Sequence, residues 1–275
     1  MAEVISQTEI GPDLYKLKIS AREREGRPAV PGQFCHLQVR RPESWDPLLR
    51  RPLSIYNAAD SADYSDSQAE SWQLEFVYQV RGRGTRLLSQ FQPGEQIDYL
   101  GSLGSGFTQD FRGKNLILVG GGLGIAPLYF LARKLADINN LQVYLGASSA
   151  ALLQPLAADI AKLDVKLSLA TDDGSLGRAG TVFDILREDF AEASLERQNS
   201  NQPDYIFACG PVPLLYTLQK YMAKNAVPGE FSLEKRMACG SGVCLSCVCQ
   251  TASGNQRVCY EGPVFPAREV IFNGS

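Results

Sequence analysis

Four cysteines near the C-terminal end carry the spacing of a metal site. Cys239, Cys244 and Cys247 are followed, after eleven residues, by Cys259, which reads C-x4-C-x2-C…C. Four thiolates in this pattern hold a two-iron, two-sulfur (2Fe-2S) cluster. The loop must wrap three of them around a small inorganic core. Gly240 and Gly242 suit that wrapping, because glycine adopts φ > 0 readily and lets backbone N–H groups approach sulfur. The chemistry such a set supplies is one-electron transfer. A structural zinc site would show paired C-x2-C knuckles, and only Cys244 and Cys247 form such a pair. A disulfide framework fits worse, because the chain is long, its cysteines number seven and no export signal opens it. Cys249 lies two residues past Cys247, so in a strand it points to the other face. It reads as a packed thiol, with substitution as a ligand left open. Cys35, in an apolar run, reads as core.

Other residue groups suit phosphate and ring binding. Gly120-Gly121-Gly122-Leu123-Gly124-Ile125-Ala126-Pro127 follows an apolar run and opens a helical stretch. Glycines there let the backbone reach a pyrophosphate, and Pro127 suits a first helical turn. The run departs from G-x-G-x-x-G, and no acidic residue stands about 20 positions on, so a standard NAD-binding Rossmann domain is not expected. In Arg51-Pro52-Leu53-Ser54 an arginine can clamp a phosphate and a serine can hydrogen-bond a ring nitrogen. Gly84-Thr85 offers a backbone cradle. Taken alone, each is also what a solvated strand or turn would contain. Ala208-Cys209-Gly210-Pro211 ends a strand-like run and opens a helix, the place where open parallel sheets bind ligands.

The elements that must position these residues divide at about residue 111. Before it, Leu14–Ile19, Gln33–Val39 and Trp72–Val80 alternate or are rich in β-formers. Pro31-Gly32, Pro93-Gly94 and the Gly101–Gly106 stretch separate them, a pattern that predicts a small barrel. A short helix is expected over Arg86–Phe91, and a polar hairpin loop over Asn57–Ser71. After it, Asn115–Val119 is continuously apolar, as a buried parallel strand is. Strands at Leu141–Gly146, Val165–Ala170 and Tyr205–Ala208 alternate with helical segments at Pro127–Ile138, 150–162, 181–191 and 211–225. That alternation predicts a parallel sheet covered on both faces. Val227-Pro228-Gly229 reads as a linker. The expected domains are 1–111, 112–228 and 229–275.

Composition excludes several classes. The net charge is −3, with dispersed basic residues, so no nucleic-acid footprint exists. No apolar run approaches the roughly 18 residues that cross a bilayer. Met1-Ala-Glu-Val-Ile lacks the regions of an export signal, and free cysteines point to a reducing cytoplasm. The single histidine, His36, leaves no histidine metal site and makes His–Asp catalysis a poor reading.

In combination, Arg51-Pro52-Leu53-Ser54, Gly84-Thr85, the Gly120–Leu128 loop, Cys209-Gly210-Pro211 and Glu234-Lys235-Arg236-Met237-Ala238-Cys239-Gly240 resemble the ferredoxin–NADP reductase superfamily with a C-terminal 2Fe-2S module. The resemblance is closest to the electron-transfer subunits of two-subunit, NAD-linked dihydroorotate dehydrogenases. Pro31-Gly32-Gln33-Phe34, Gly101–Phe107, Thr171–Ser175 and Val258–Phe265 extend it over nearly the whole chain.

The resemblance implies an FAD-binding barrel, an NAD-binding α/β domain and a cluster module. It implies that Arg51, Pro52, Leu53 and Ser54 hold FAD, that Val77, Tyr78 and Gln79 line the flavin, and that Gly84 and Thr85 bind its phosphates. Gly121, Gly122, Gly124 and Cys209 would border the nicotinamide nucleotide. Cys239, Cys244, Cys247 and Cys259 would ligate iron. Leu53 stands where many distant reductases have tyrosine, so one flavin face lacks that ring. The implied partner is an FMN-bearing catalytic subunit, in a heterotetramer of two subunits of each kind serving pyrimidine biosynthesis. A related reductase subunit serving another partner, of the sulfide dehydrogenase or ferredoxin:NADP oxidoreductase type, is the alternative, and a non-enzymatic iron–sulfur or zinc module is a further one.

Overall fold

The computed structural model describes residues 1–22, 28–40, 44–59, 71–195 and 202–272. Its N-terminal part is antiparallel. Strands β1 (Ala2–Gly11), β2 (Leu14–Arg22), β3 (Phe34–Leu37), β4 (Arg51–Ser54), β5 (Asn57–Ala58) and β6 (Ser71–Gln79) are followed by helix α1 (Arg83–Leu88) and strands β7 (Gln96–Ile97) and β8 (Tyr99–Leu103). They form a five-stranded sheet ordered β5-β6-β2-β1-β7 and a three-stranded sheet ordered β4-β3-β8. Val4, Leu17, Ile19 and Phe76 of the first share one core with Cys35 and Leu37 of the second, which closes the pair into a small barrel.

β1 had no clear sequence signature, because only Ala2 and Val4 of its ten residues are buried. Gly101–Leu103, expected as a divider, lies within β8. Gly101 serves packing there, since a β-carbon would stand 2.5 Å from the Cys35 sulfur. The short helix begins at Arg83 and ends at Leu88, earlier than expected. Most of the expected hairpin loop, residues 60–70, lies outside the described residues.

The second part is a parallel sheet. Strand β9 (Asn115–Gly121), helix α2 (Ile125–Leu135), β10 (Asn140–Ala147), α3 (Ala150–Ile160), β11 (Lys166–Thr171), β12 (Arg178–Ala179), α4 (Val182–Leu195), β13 (Tyr205–Cys209), α5 (Val212–Lys224) and β14 (Gly229–Ser232) follow in order. Leu116 and Leu118 of β9 pack with Leu128, Leu131, Leu153 and Leu156 on one face. Ile117 and Val119 pack with Ile185, Leu186, Leu215 and Leu218 on the other. Each such side chain stabilises by roughly 1.5–3 kcal/mol relative to exposure, which is why β9 is apolar without alternation.

Strands β15 (Val248–Thr251), β16 (Gly254–Arg257) and β17 (Val264–Pro266) complete the fold. The seven-stranded order is β12-β11-β10-β9-β13-β14-β17, with only β14 and β17 antiparallel. The sheet therefore continues past residue 228. Val227-Pro228-Gly229, expected as a linker, leads straight into β14, whose Gly229–Ser232 pairs with Ile206–Cys209. Glycine is required at the join, because a β-carbon on Gly229 would overlap the Ile206 carbonyl.

Candidate functional site: a cleft beside a four-cysteine loop

The cysteine loop is shaped by residues in the left-handed backbone region. Gly240 has φ 70°, Gly242 φ 80° and Leu245 φ 59°. The two glycines behave as their sequence context implied; Leu245, with a side chain, is strained there. This winding aims N–H groups at sulfur. Ser241 N and Cys244 N donate to Cys239 Sγ at 3.4 and 3.5 Å, Gly242 N to Cys259 Sγ at 3.2 Å, and Cys259 N to Cys247 Sγ at 3.4 Å. The Cys244 donation leads in holding the Cys239 thiol down to about 6, whereas burial pushes Cys259 up to about 12. N–H groups directed at sulfur suit a thiolate-ligated cluster, whose potential they tune.

Cys247 and Cys259 are buried and Cys244 is exposed, so one edge of the loop faces solvent. Cys249 is 7% exposed within β15, and burial raises its pKa, as expected of a packed thiol. Cys35 is fully buried.

The loop is clamped to both larger parts. Ser105 N donates to the Gly262 carbonyl at 2.6 Å and Ser105 Oγ to the Glu261 carbonyl at 2.9 Å. Leu233 N donates to the Pro263 carbonyl at 2.8 Å. Val264 is 7% exposed and packs beneath this clamp, whereas Val243 and Leu245 stand 80% and 61% exposed.

A cleft of about 900 Å³ lies between barrel, sheet and cysteine module. Pro52, Leu53 and Ser54 of β4, with Val77, Tyr78 and Gln79 of β6, form its barrel wall. Thr85 lines it too, and its hydroxyl accepts from Arg81 N at 3.0 Å and Gly82 N at 3.3 Å. Arg51 and Gly84 form one unit, since a β-carbon on Gly84 would overlap the Arg51 guanidinium. The guanidinium itself occupies the space over Gly84, so a cation is held against bare backbone next to Thr85, a placement that suits a phosphate.

Across the cleft, Gly121, Gly122 and Gly124 face Gly210 and Pro211 at the carboxyl ends of the adjacent strands β9 and β13. A β-carbon on Gly124 would overlap the Cys209 carbonyl, and one on Gly121 would stand 2.8 Å from Pro211. The close approach requires glycine at both positions. The Cys209 side chain is buried at the end of β13; its neighbours Gly210 and Pro211 form the wall.

Two further residues, to which the sequence alone assigned no site role, belong here. Glu234 lines the cleft from the segment after β14 and is exposed to solvent there; partial desolvation by the surrounding walls raises its pKa and Arg81 opposes the rise. Its place in the same cavity as Gly121 and Ser54 depends on β14 joining the sheet, which no local pattern indicated. His36 is fully buried, and burial, then the Arg50 charge, lowers its pKa to about 4. Nothing in its apolar surroundings marked it in sequence.

The barrel, the parallel sheet and the cleft between them define a reductase of the ferredoxin–NADP reductase type. A chain of an NADH-dependent reduced ferredoxin–NADP oxidoreductase, solved in a study of flavin-based electron bifurcation, superimposes with a TM-score of 0.73 at 27% identity. The match covers 98% of this chain and 90% of that one. Ferredoxin–NADP+ reductase from Neisseria gonorrhoeae, solved with FAD and NADP, shares the fold at a TM-score of 0.59 and 17% identity, over 81% of this chain and 89% of that one.

Residues 234–271 match the iron–sulfur cluster binding domain of dihydroorotate dehydrogenase B. The electron transfer subunit of dihydroorotate dehydrogenase B (NAD(+)) from Desulforamulus reducens is 36% identical, over 98% of this chain and 97% of its own length. That of Geobacillus thermodenitrificans is 38% identical, over 98% and 96%. The chain belongs to this family of electron transfer subunits.

Proposed function

We propose that this chain carries electrons between NAD and a dihydroorotate dehydrogenase catalytic subunit bearing FMN, through a 2Fe-2S cluster and FAD, in pyrimidine biosynthesis. Hydride exchange with NAD moves two electrons, a 2Fe-2S cluster passes one at a time, and flavin chemistry bridges the two. The observation that carries the reading is the cleft itself. Barrel residues suited to a flavin (Pro52, Leu53, Ser54, Val77, Tyr78, Gln79 and Thr85) and the glycine loop suited to a nucleotide (Gly121, Gly122, Gly124) line one cavity, and Met237, Val248 and Cys249, which flank the four-cysteine loop, line it too.

The chain's residues act by holding and orienting. Arg51 over Gly84, with Thr85, holds the flavin phosphates. Pro52, Leu53 and Ser54, with Val77, Tyr78 and Gln79, shape the ring pocket. Gly121, Gly122 and Gly124 admit the nicotinamide nucleotide between β9 and β13, and Cys209 supports that wall from below. Cys239, Cys244, Cys247 and Cys259 ligate the cluster. The FAD barrel spans 1–111, the nucleotide domain 112–228 and the cluster module 229–275, with β14 and β17 of the module added to the nucleotide sheet.

The catalytic partner docks at the exposed edge of the cysteine loop, where Val243, Leu245 and Tyr260 stand beside Cys244, and two subunits of each kind assemble. Among the described residues no helix is long and apolar enough to cross a membrane. The free thiols support a reducing cytoplasm as the compartment. An anaerobic visible spectrum with iron, sulfide and flavin analysis tests the cofactor content. Two irons, two sulfides and one FAD per chain are expected, and a colourless protein would defeat the reading.

A further inference from the structure

Strand β3 separates the barrel interior from the cysteine module, and its side chains divide accordingly. Cys35 and Leu37 join the barrel core. Phe34, on the opposite face, packs in the cluster of buried residues that holds Cys247, Cys249 and Cys259. His36 shares the Phe34 face by strand alternation, with the two rings edge to face at 5.7 Å.

The His36 ring meets the cysteine loop directly. A β-carbon on Gly240, next to Cys239, would stand 2.8 Å from His36 Nδ1. In the sheet, His36 pairs with Pro52 of β4, which lines the cleft. The histidine thus stands between the flavin strand and the cysteine loop.

Its polar atoms are unexplained by the polypeptide. His36 is 0% exposed, yet neither Nδ1 nor Nε2 has a hydrogen-bond partner among the described residues. A buried imidazole without partners is costly, and phenylalanine or leucine would fill the same space without that cost. Any protonation state of the ring carries at least one N–H. The cysteine sulfurs of the loop are not among its partners, which leaves the inorganic sulfides of a bound cluster as the anionic acceptors.

We infer that His36 would donate a hydrogen bond to a sulfide of the iron–sulfur centre held by the loop, and so position and tune the cluster. The inference rests on cluster ligation by the four cysteines. Donation to sulfur stabilises the reduced cluster, which carries more negative charge, and raises its potential.

His36 is the only histidine of the chain, so a ¹⁵N-histidine label reports on this ring alone. The test is pulsed EPR on the dithionite-reduced, cluster-loaded, full-length labelled protein. A ¹⁵N coupling to the cluster signal is expected, replaced by a ¹⁴N coupling in unlabelled protein. In redox titration, His36→Phe should shift the cluster midpoint to more negative potential, and His36→Gln, which keeps an N–H, should recover part of the shift. A normal cluster signal without ¹⁵N coupling would overturn the inference while leaving the ligation intact. So would a ¹⁵N coupling confined to the flavin signal. Absence of any cluster signal, with iron missing on analysis, would overturn both. The label experiment needs no variant, so it decides even where His36→Phe fails to fold.

Discussion

The Arg51 guanidinium lies directly over Gly84, so closely that any β-carbon at Gly84 would overlap it. The two residues come from β4 and from α1, and their contact is not legible in the sequence of either. Together they make a charged lid over bare backbone, which suits a phosphate group.

Removing either partner should weaken FAD. Arg51→Ala removes a charge-assisted contact worth roughly 1.5–3 kcal/mol, about tenfold to a hundredfold in affinity. Gly84→Ala should weaken FAD while leaving Arg51 present, because the methyl group displaces the guanidinium. Flavin content after extensive dialysis measures both. Full retention of FAD by both variants would remove this pair from the site.

Serine replacement at Cys239, Cys244, Cys247 or Cys259 should abolish or deplete the cluster and leave FAD bound. Cys249→Ser should keep it, because Cys249 lies in β15, past the loop, and lines the cleft. Iron and flavin analysis separates these outcomes. Iron lost from Cys249→Ser and kept by Cys259→Ser would reverse the assignment.

The barrel and the nucleotide domain are tied by Asp159 of α3. Its carboxylate pairs with Lys16 of β2, accepts from Tyr56 Oη at 2.8 Å and meets Lys162 at 2.7 Å. Tyr56 also stacks on Tyr129 at 4.4 Å. Burial alone would raise the Asp159 pKa, but the hydrogen bonds from Lys16, Lys162 and Tyr56 outweigh it and hold the group at about 2. A depressed carboxylate contributes stability above its unfolded pKa of about 4, and loses it as pH falls towards 2. Asp159→Asn should therefore unfold at lower temperature than the parent at pH 7, with the gap narrowing below about pH 4. A gap constant from pH 7 to pH 3 would contradict the linkage.

Val243→Asp and Leu245→Asp should leave cluster and flavin in place but weaken association with the catalytic subunit about tenfold or more, the range of a buried interface anchor. Val264 is buried beneath the clamp, so its substitution should instead affect stability. Analytical ultracentrifugation of the reconstituted complex reads the difference; unchanged association would move the docking face elsewhere.

The cysteine spacing and the glycine loop were legible because each local pattern carries its own geometric demand. β9, β10 and β13 were legible because buried parallel strands are apolar throughout. β14 and β17 were not, because Gly229–Ser232 and Val264–Pro266 are short and belong to the sheet only through partners distant in sequence. β1 was hidden by its exposed polar residues. Glu234 and His36 were named in sequence without a place in a site; β14 brings one to the cleft and β3 brings the other to the cysteine loop. Arg51 and Gly84 could each be singled out from sequence, but not their contact.

Electrons from dihydroorotate reach NAD through this chain only with a partner. The decisive measurement is NAD reduction by dihydroorotate, with the purified chain alone and with the FMN-bearing catalytic subunit added. The chain alone should oxidise NADH with artificial acceptors, yet form no orotate; dihydroorotate-dependent NADH formation should appear on adding the partner and vanish when Cys247→Ser replaces the parent chain. Orotate formation by the isolated chain, or undiminished NADH formation by a complex whose cluster is gone, would contradict the account.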